Sequence, residues 1–519
     1  MRWLVGSLFL LLIYDFIYAQ MSKYGPSSTE WLQSGHDYKK TRRAPLKCTS
    51  PATVNRVWTS EDSPGNLLGP GSAVYNNTYD YNNDGVIEVT GGGIDAGFFS
   101  DGLVWFLHDA GTGANIASQG WGSYDDYFTY WATGYTPSGP RTAIQVNEPG
   151  DQWSDDKTRF ILMNSTGNFI YNQDLGGGTP VSDMTVADVD NNGCPEIYVM
   201  HGSEFRAINM CANSYSVIWS VPQSGVWGSA ITQFGGQSYA VISTSSGIAI
   251  RNAANGALVN TISFGASTLP TLADIDGDGI DEIIVGGSNS VRAYKFDGTL
   301  VWNYTFSGNP SNIAVGRILP GNQLGVAFLS GGLYVLRASD GAYITGPVGS
   351  YFLDPSIADM NGDGVEGVIV SDGCGNPKEH SYVNGWTNPV WSAAGCADEP
   401  PISSDLIISK WYITGNPPQG KLVIVEGDVS CFTNVWHCNS AEEITPLDVS
   451  EITNKPSIYY EKGYIKISNY NGNVEIYDVS GKRIISSKVV NEGTIKLNKQ
   501  GIFILKLKDK TYKLVADGR

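Results

Sequence analysis

Four short acidic loops recur along this 519-residue chain, and their spacing constrains its fold more than any other feature. The clearest runs Asp274-Ile-Asp-Gly-Asp-Gly-Ile-Asp-Glu282. It places carboxylates at alternate positions, Asp274, Asp276 and Asp278, turns at Gly279, and closes with an acid at the ninth position, Glu282. A hard cation such as Ca²⁺ takes roughly six to eight oxygens. The three Asp side chains, the Ile280 carbonyl and Glu282 can supply most of them, and a strand-like Ile283-Ile-Val285 follows. The loop is therefore expected to be a metal-stapled turn between two β-strands. The second copy offers Asp80, Asn82, Asp84, Val86 and Glu88, and the third Asp188, Asp190, Asn192, Cys194 and Glu196. The fourth offers Asp359, Asn361, Asp363 and Val365, with Gly367 where the closing acid should stand. Asp, Asn and Gly also make turns without metal. Four copies, each leading into an apolar strand, point instead to structural Ca²⁺.

Asp188 and Asp274 are 86 residues apart, and Asp274 and Asp359 are 85 apart. Each interval fits about two units of 43 residues. Acid-free units sit midway, at Ala230 to Ser243 and Ile313 to Phe328, and keep the strand–turn–strand pattern. The second half repeats as well: Ser290 to Trp302, Gly247 to Val259 and Gly332 to Ile344 each show a strand, an Asp-Gly or Asn-Gly hairpin turn, and another strand. One unit is thus four antiparallel strands, which is the blade of a β-propeller. First strands near Tyr79, Trp131, Ala187, Ile231, Ala273, Val315, Ala358 and Ile407 predict an all-β, eight-bladed β-propeller over residues 54–438. Seven blades are the alternative if the Trp131 unit is an inserted subdomain. The last unit shows three strands, and Val54-Asn-Arg-Val-Trp58-Thr, with its Val-Trp ending, is the expected fourth, so that an N-terminal strand closes the ring.

Composition narrows the class. Sixty-two glycines, 28 tyrosines and 14 tryptophans suit a turn-dense β protein. A net charge of −18 argues against nucleic acid or an anionic membrane surface as partner. Residues 455–519 carry 13 basic and 6 acidic side chains, so the charge changes sign at a domain boundary. Arg2, an apolar Leu4 to Ile13 and Tyr18-Ala19-Gln20 read as a signal peptide over 1–19, too short and too interrupted by Asp15 to span a bilayer. The expected product is secreted or held on the cell surface, with no transmembrane segment in the mature chain. In that compartment the seven cysteines read as disulfide candidates. Cys194 and Cys211 share a unit, as do Cys374 and Cys396; Cys431 and Cys438 are neighbours, and Cys48 pairs with one of them if ring closure brings it there.

The acidic loops resemble FG-GAP/VCBS-type repeats. Within an N-terminal arm of residues 20–53, Trp31-Leu-Gln-Ser-Gly-His36-Asp37 through Thr41 and Pro45 resembles the leader of quinoprotein-like propellers, which implies eight blades without implying a quinone. After an acidic linker, 439–456, the alternating strands of 457–519 predict a small C-terminal β-sandwich. Its Asp478-Val-Ser-Gly-Lys-Arg-Ile turn, Gly501-Ile-Phe-Ile-Leu-Lys strand and Lys513-Leu-Val ending resemble the type A sorting domain of the type IX secretion system. That resemblance implies the type IX machinery as a partner.

Nothing in the chain spells a catalytic motif. The five histidines, His36, His108, His201, His380 and His437, sit in no Ser-His-Asp order, zinc motif or phosphate-cradling loop. His108 reads as a turn residue, and His36 with Asp37 as a pin for the arm. The candidate ligand surface is the aromatic insertion holding Trp121, Tyr124, Tyr127, Tyr130, Trp131 and Trp153, whose rings suit sugars or protein loops. Two function classes compete: an extracellular binding or adhesion protein that recognises glycan or protein or self-assembles, and a carbohydrate-active enzyme such as a polysaccharide lyase. A lyase needs a base and a cation for the uronate, and the propeller is poor in Lys and Arg, which favours binding. A quinone-dependent dehydrogenase is the weaker third class.

Overall fold

The structure is a computed structural model. It describes residues 24, 32–51, 54–60, 75–82, 84, 86–97, 100–123, 128–148, 157–176, 182–351, 354–372, 376–393, 407–414, 419–426, 433–443, 457–461, 464–478, 482–496, 501–507 and 510–516. The expected leader, most of the linker, Tyr124, Tyr127, Trp153, Cys374, Cys396 and Cys431 lie outside these. The chain divides into two compact units, Met1–Asp276 with Ile280–Leu447, and Asp448–Arg519 with Gly277–Gly279.

The larger unit is all-β among the described residues. Two strands, β1 (Arg43–Cys48) and β2 (Asn55–Ser60), precede the repeats. The first four-stranded sheet holds β3 (Tyr75–Tyr79), β4 (Glu88–Gly97), β5 (Ser100–Asp109) and β6 (Asn115–Ser123). The second holds β7 (Phe128–Thr136), β8 (Gly139–Glu148), β9 (Lys157–Asn164) and β10 (Phe169–Asp174). The third holds β11 (Thr185–Ala187), β12 (Glu196–His201), β13 (Glu204–Asn209) and β14 (Val217–Pro222). The fourth holds β15 (Val226–Phe234), β16 (Gln237–Thr244), β17 (Ile248–Asn252) and β18 (Leu258–Ile262). The fifth holds β19 (Thr271–Ala273), β20 (Glu282–Gly287), β21 (Ser290–Tyr294) and β22 (Leu300–Thr305). The sixth holds β23 (Ala314–Leu319), β24 (Gln323–Leu329), β25 (Leu333–Arg337) and β26 (Tyr343–Val348).

A seventh sheet has nine strands. It contains β27 (Ser356–Asp359), β28 (Gly367–Ser371), β29 (Pro377–His380), β30 (Trp391–Ser392), β31 (Ile407–Thr414), β32 (Gln419–Glu426) and β33 (Thr433–Glu443), with β1 and β2. Its order is β30-β29-β28-β27-β1-β33-β32-β31, and β2 pairs with β33 on the same edge as β1, opposite β32. Counted as hydrogen-bonded sheets, the propeller has seven blades. The eight expected blades do not appear as eight sheets because β1 pairs in parallel with β27 and antiparallel with β33, tying two groups of strands into one. The Trp131 unit is not the source of the lower count: it forms the regular sheet β7–β10. The leading strands touch in cyclic order, β3, β7, β11, β15, β19, β23, β27, β31 and back to β3. β33 also runs on into the stretch read as linker.

Position within a blade explains its sequence. Second strands such as Glu196–His201 and Glu282–Gly287 are buried on both faces, since neighbouring blades cover each side, and so read as apolar runs. Fourth strands such as β14 and β22 mix exposed and buried residues because they form the outer edge. Blades are latched by indole donors: Trp219 Nε1 donates to the Ala253 carbonyl at 2.7 Å, and Trp302 Nε1 to Ala338 at 2.6 Å. Each ring packs on the hairpin glycine of the next blade. Gly256 and Gly341 take φ of 73° and 67°, and a Cβ there would stand 2.7 Å from the indole. His437 Nε2 lies 2.7 Å from the carbonyl of Ala110, in the corresponding turn of the first sheet.

The N-terminal arm threads across the leading strands. The carbonyls of Leu32, Tyr38, Lys39, Thr41 and Arg42 accept hydrogen bonds from Thr133, Ile231, Leu272, Val315 and Ile357 in turn. His36, Lys40 and Arg42 adopt positive φ of 73°, 58° and 55°. That conformation costs on the order of 1–3 kcal/mol at a non-glycine residue, and the surrounding ring holds it. Cys48–Cys438 joins β1 to β33 across 390 residues, and Cys194–Cys211 spans 17. Closing the 390-residue loop stabilises by about 6 kcal/mol in the chain-entropy account. No helix among the described residues is long and apolar enough to cross a membrane.

The smaller unit is a five-stranded antiparallel sheet of β34 (Ser457–Glu461), β35 (Tyr464–Asp478), β36 (Arg483–Lys496), β37 (Gly501–Leu507) and β38 (Lys510–Ala516). β34 pairs with the start of β35, and β37 with its end. β34 also touches β38, so the sheet folds over on itself, with Ile465, Val474, Ile476 and Ile495 buried.

Candidate metal centres

Each acidic loop links a leading strand to the second strand of its blade. The closing position opens that second strand, opposite the end of the first: Glu88 pairs with Tyr79, Glu196 with Ala187, Glu282 with Ala273 and Gly367 with Ala358. The loop backbone bends around its own first carboxylate. Asp188 Oδ1 accepts from Asn192 N at 3.0 Å and Oδ2 from Gly193 N at 2.9 Å. Asp359 does the same with Gly362 N at 2.7 Å and Gly364 N at 2.8 Å. Asp80 Oδ1 accepts from Asp84 N, and Asn82, Asp84, Asn192, Asn361 and Asp363 hold further loop N–H groups. The closing acid is clamped by the N–H of the second loop residue. Tyr81 N donates to Glu88, Val189 N to Glu196 and Ile275 N to Glu282, at 3.0, 3.0 and 2.9 Å.

Two of the loops bring three acids together. One oxygen from each of Asp188, Asp190 and Glu196, and likewise of Asp274, Asp276 and Glu282, lies within 4.8 Å of the others. The Asp80 and Asp359 loops carry Asn82 and Asn361 at the third position, so each has one acid fewer there. Asp278 is exposed and is not one of the clustered three, and Ile280 is half-buried. Val86, Cys194 and Val365 stand at the seventh position, where only the backbone carbonyl is offered.

Burial sets the electrostatics. It pushes the Glu196 carboxyl up to about 8, with the Asp190 and Asp188 charges adding to it. Burial likewise pushes Glu88 up to about 8, with Asp80, Asp84 and Asp109 adding, and Asp359 up to about 6. The Asp274 loop differs, because Lys295 Nζ stands 2.6 Å from Asp276 and 3.9 Å from Glu282. An all-oxygen donor set, with two buried carboxylates and one exposed in each cluster, fits a hard divalent cation and would not suit a soft one. Cys194 is disulfide-bonded, so no thiolate enters the set.

The aromatic insertion is mostly not a surface where it is described. Trp131 is buried in the core, and Tyr130 is half-buried, its hydroxyl pushed up to about 12 by burial and by Asp183. Trp121 lies on β6. All five histidines make structural contacts: His36 with Asp37, His108 with the Gly113 carbonyl, His201 with Leu175, His380 with Tyr351 and Trp386, and His437 with Ala110. Asp37 also accepts from Lys39 N and from the Thr41 hydroxyl, which pins the arm.

Sequence reasoning missed the acids at the eighth loop position. Asp281 pairs with Lys39 at 3.0 Å, and Glu366 with Arg43. Side chains alternate along a strand, so the acid before the closing one faces away from the loop, and that alternation was the available signal. Asp183 and Asp354, which meet Lys40 and Arg42, carry no such signal.

No protein-family model matches the chain, and no curated protein matches it. Among solved structures it is similar to the quinohemoprotein alcohol dehydrogenase of Comamonas testosteroni, with TM-score 0.51 and 10% identity over 86% of this chain and 84% of that one. It is also similar to the quinohemoprotein alcohol dehydrogenase ADHIIG of Pseudomonas putida HK5, with TM-score 0.50 and 10% identity over 82% and 83%. What this chain shares with these quinoproteins is the all-β propeller fold.

Proposed function

We propose that the chain is an exported, calcium-stabilised β-propeller that acts outside the cell, or on its surface, as a binding or adhesion protein for glycan or protein. The observation that carries the reading is the pair of oxygen clusters, Asp188–Asp190–Glu196 and Asp274–Asp276–Glu282, built at equivalent points of two blades. Repetition at equivalent points, within closed turns, suits a structural ion rather than a reacting one. The FG-GAP/VCBS resemblance of the loops agrees with this.

The propeller is read as eight-bladed. The nine-stranded sheet divides at β1 into β27–β30 and a second group of β31, β32, β33 and β2, and the cyclic contacts run through eight leading strands. In that reading β2 completes the last blade and the Cys48–Cys438 disulfide locks the ring.

Binding is favoured over catalysis because every histidine is engaged in a structural contact and Lys39, Lys40, Arg42 and Arg43 of the arm are engaged with carboxylates. The dehydrogenase activity named for the two similar structures is not carried over, since at 10% identity only their fold is shared. Residues 457–519 are read as a type A sorting domain for type IX secretion, on the sequence resemblance. Glycan-array binding by the mature protein that falls on chelation is the expected result. Appearance of an unsaturated uronate product from an acidic polysaccharide would replace this reading with the lyase. Deletion of 457–519 is expected to leave the propeller in the periplasm.

A further inference from the structure

The Asp359 loop has no acid at its ninth position, yet a buried carboxylate stands there from another strand. In the other three blades the closing acid opens the second strand, and the third strand offers an apolar residue diagonally across from it. Two residues beyond Glu196, Tyr198 pairs with Ala207; beyond Glu282, Ile284 pairs with Ala293; beyond Glu88, Thr90 pairs with Leu107. In the blade of the Asp359 loop the two identities are exchanged. Position nine is Gly367, and Ile369, two residues on, pairs with Glu379. Strand alternation puts Gly367, Ile369 and Glu379 on one face.

Glu379 occupies the vacated place. A Cβ built on Gly367 would collide with Glu379 Oε1. The side chain is fully buried, and neither carboxylate oxygen has a hydrogen-bond partner. Burial raises its pKa well above the ordinary value, the Asp359 and Asp363 charges add to that, and the nearby N–H groups of Asn361 and Met360, outside hydrogen-bond geometry, partly oppose it. Met360 is the second loop residue, whose counterparts Tyr81, Val189 and Ile275 clamp the closing acids of the other loops. Glu366 is not available for the role, since Arg43 and the Arg317 N–H hold it on the opposite face. Lys47 is the basic group near this loop, and its charge acts on Asp359. A buried carboxylate without a partner, set beside two further acids, is costly unless a cation joins them.

We propose that Glu379 is the missing ligand of the fourth loop, completing a Ca²⁺ site with Asp359, Asn361, Asp363 and the Val365 carbonyl. The proposal rests on the reading that these loops bind Ca²⁺ at all. Ca²⁺ bound per chain, measured by equilibrium dialysis on the whole protein, tests it alongside thermal melts in Ca²⁺ and in chelator. Glu379→Gln is expected to lose one ion per chain. Gly367→Glu combined with Glu379→Ala moves the acid to where the other loops carry it, and is expected to regain that ion. In chelator, Glu379→Gln should melt at or above the unsubstituted protein, because an amide needs no proton to be buried uncharged; in Ca²⁺ it should melt below it. An unchanged ion count in Glu379→Gln, with ions still bound elsewhere, overturns the assignment of Glu379. An unsubstituted protein that binds no Ca²⁺ overturns the broader reading instead. If Glu379→Gln fails to fold, the double variant decides, and a count one ion short rejects the exchange.

Discussion

The arm and the acidic loops both place carboxylates inside the ring of blades, and they neutralise them in opposite ways. Along the arm each acid meets a basic side chain of the chain itself: Asp281 with Lys39, Asp183 with Lys40 at 2.7 Å, Asp354 with Arg42 and Glu366 with Arg43. In the loops, the charges acting on Glu88 and Glu196 are those of further acids, and both carboxyls are pushed up to about 8. These four acids are neutralised within the polypeptide. The loops are complete only with a proton or a cation. The Asp274 loop lies between these cases, since Lys295 supplies part of a positive charge.

The comparison breaks most easily by removing the cation. Each site held at about a hundredfold above its Kd contributes about 2.7 kcal/mol. With several sites, chelation should lower Tm by ~10 °C or more. Scanning calorimetry in Ca²⁺ and in chelator measures this, and equal Tm values would abolish the distinction between arm and loops.

Next in size is the arm itself. Arg43→Met leaves Glu366 buried without its partner, which costs about 3–5 kcal/mol. The loss should be equal with and without Ca²⁺, because the arm does not use the ion. Denaturant melts of the two forms check this, and a calcium-dependent loss would show that the arm and loops act as one system.

The pH dependence is smaller and has a defined sign. Glu88 and Glu196 have folded-state pKa values raised to about 8, so the metal-free fold holds protons that the unfolded chain would release. Their stabilising effect is full below the ordinary carboxylate pKa and is lost as pH rises through about 8. Melts in chelator should therefore fall from pH 5 to 8, whereas melts in Ca²⁺ stay flatter. Because the ion displaces a proton, Ca²⁺ affinity should rise by up to about tenfold per pH unit over the same span. An affinity independent of pH would place the ion elsewhere.

The smallest effect concerns Lys295, whose pair with Asp276 is partly exposed. Lys295→Met should cost under about 1 kcal/mol in chelator. It should also tighten Ca²⁺ at that loop, measured by competition with a chromophoric chelator. Weaker Ca²⁺ binding would mean that Lys295 organises the loop rather than competing for it.

The loops were legible because their chemistry is local. Asp274, Asp276 and Glu282 are ligand-spaced in the sequence and meet in space, and the alternation that turns Glu282 to the loop also turns Asp281 to the arm. Cys48 with Cys438 was one of two pairings open on ring closure, and Cys431 lies outside the described residues. The aromatic insertion was misleading in part, because Trp131 follows the same alternation but faces the core. Glu379 could not be found by reading loops, since it lies 12 residues beyond the position it fills and arrives from the next strand.

The sequence by itself determined the repeat, the strand–loop–strand unit and the identity of most loop acids, because each depends on residues within a few positions of one another. Only the tertiary structure decided how the blades are joined, with β1 tying two strand groups into one sheet. It alone routed the arm across the leading strands and set His437 against Ala110, contacts that depend on residues hundreds apart. The same holds for the Asp359 loop. Its incomplete ligand set is plain in the sequence, and the carboxylate that fills the gap becomes visible only when strand register brings Glu379 over Gly367.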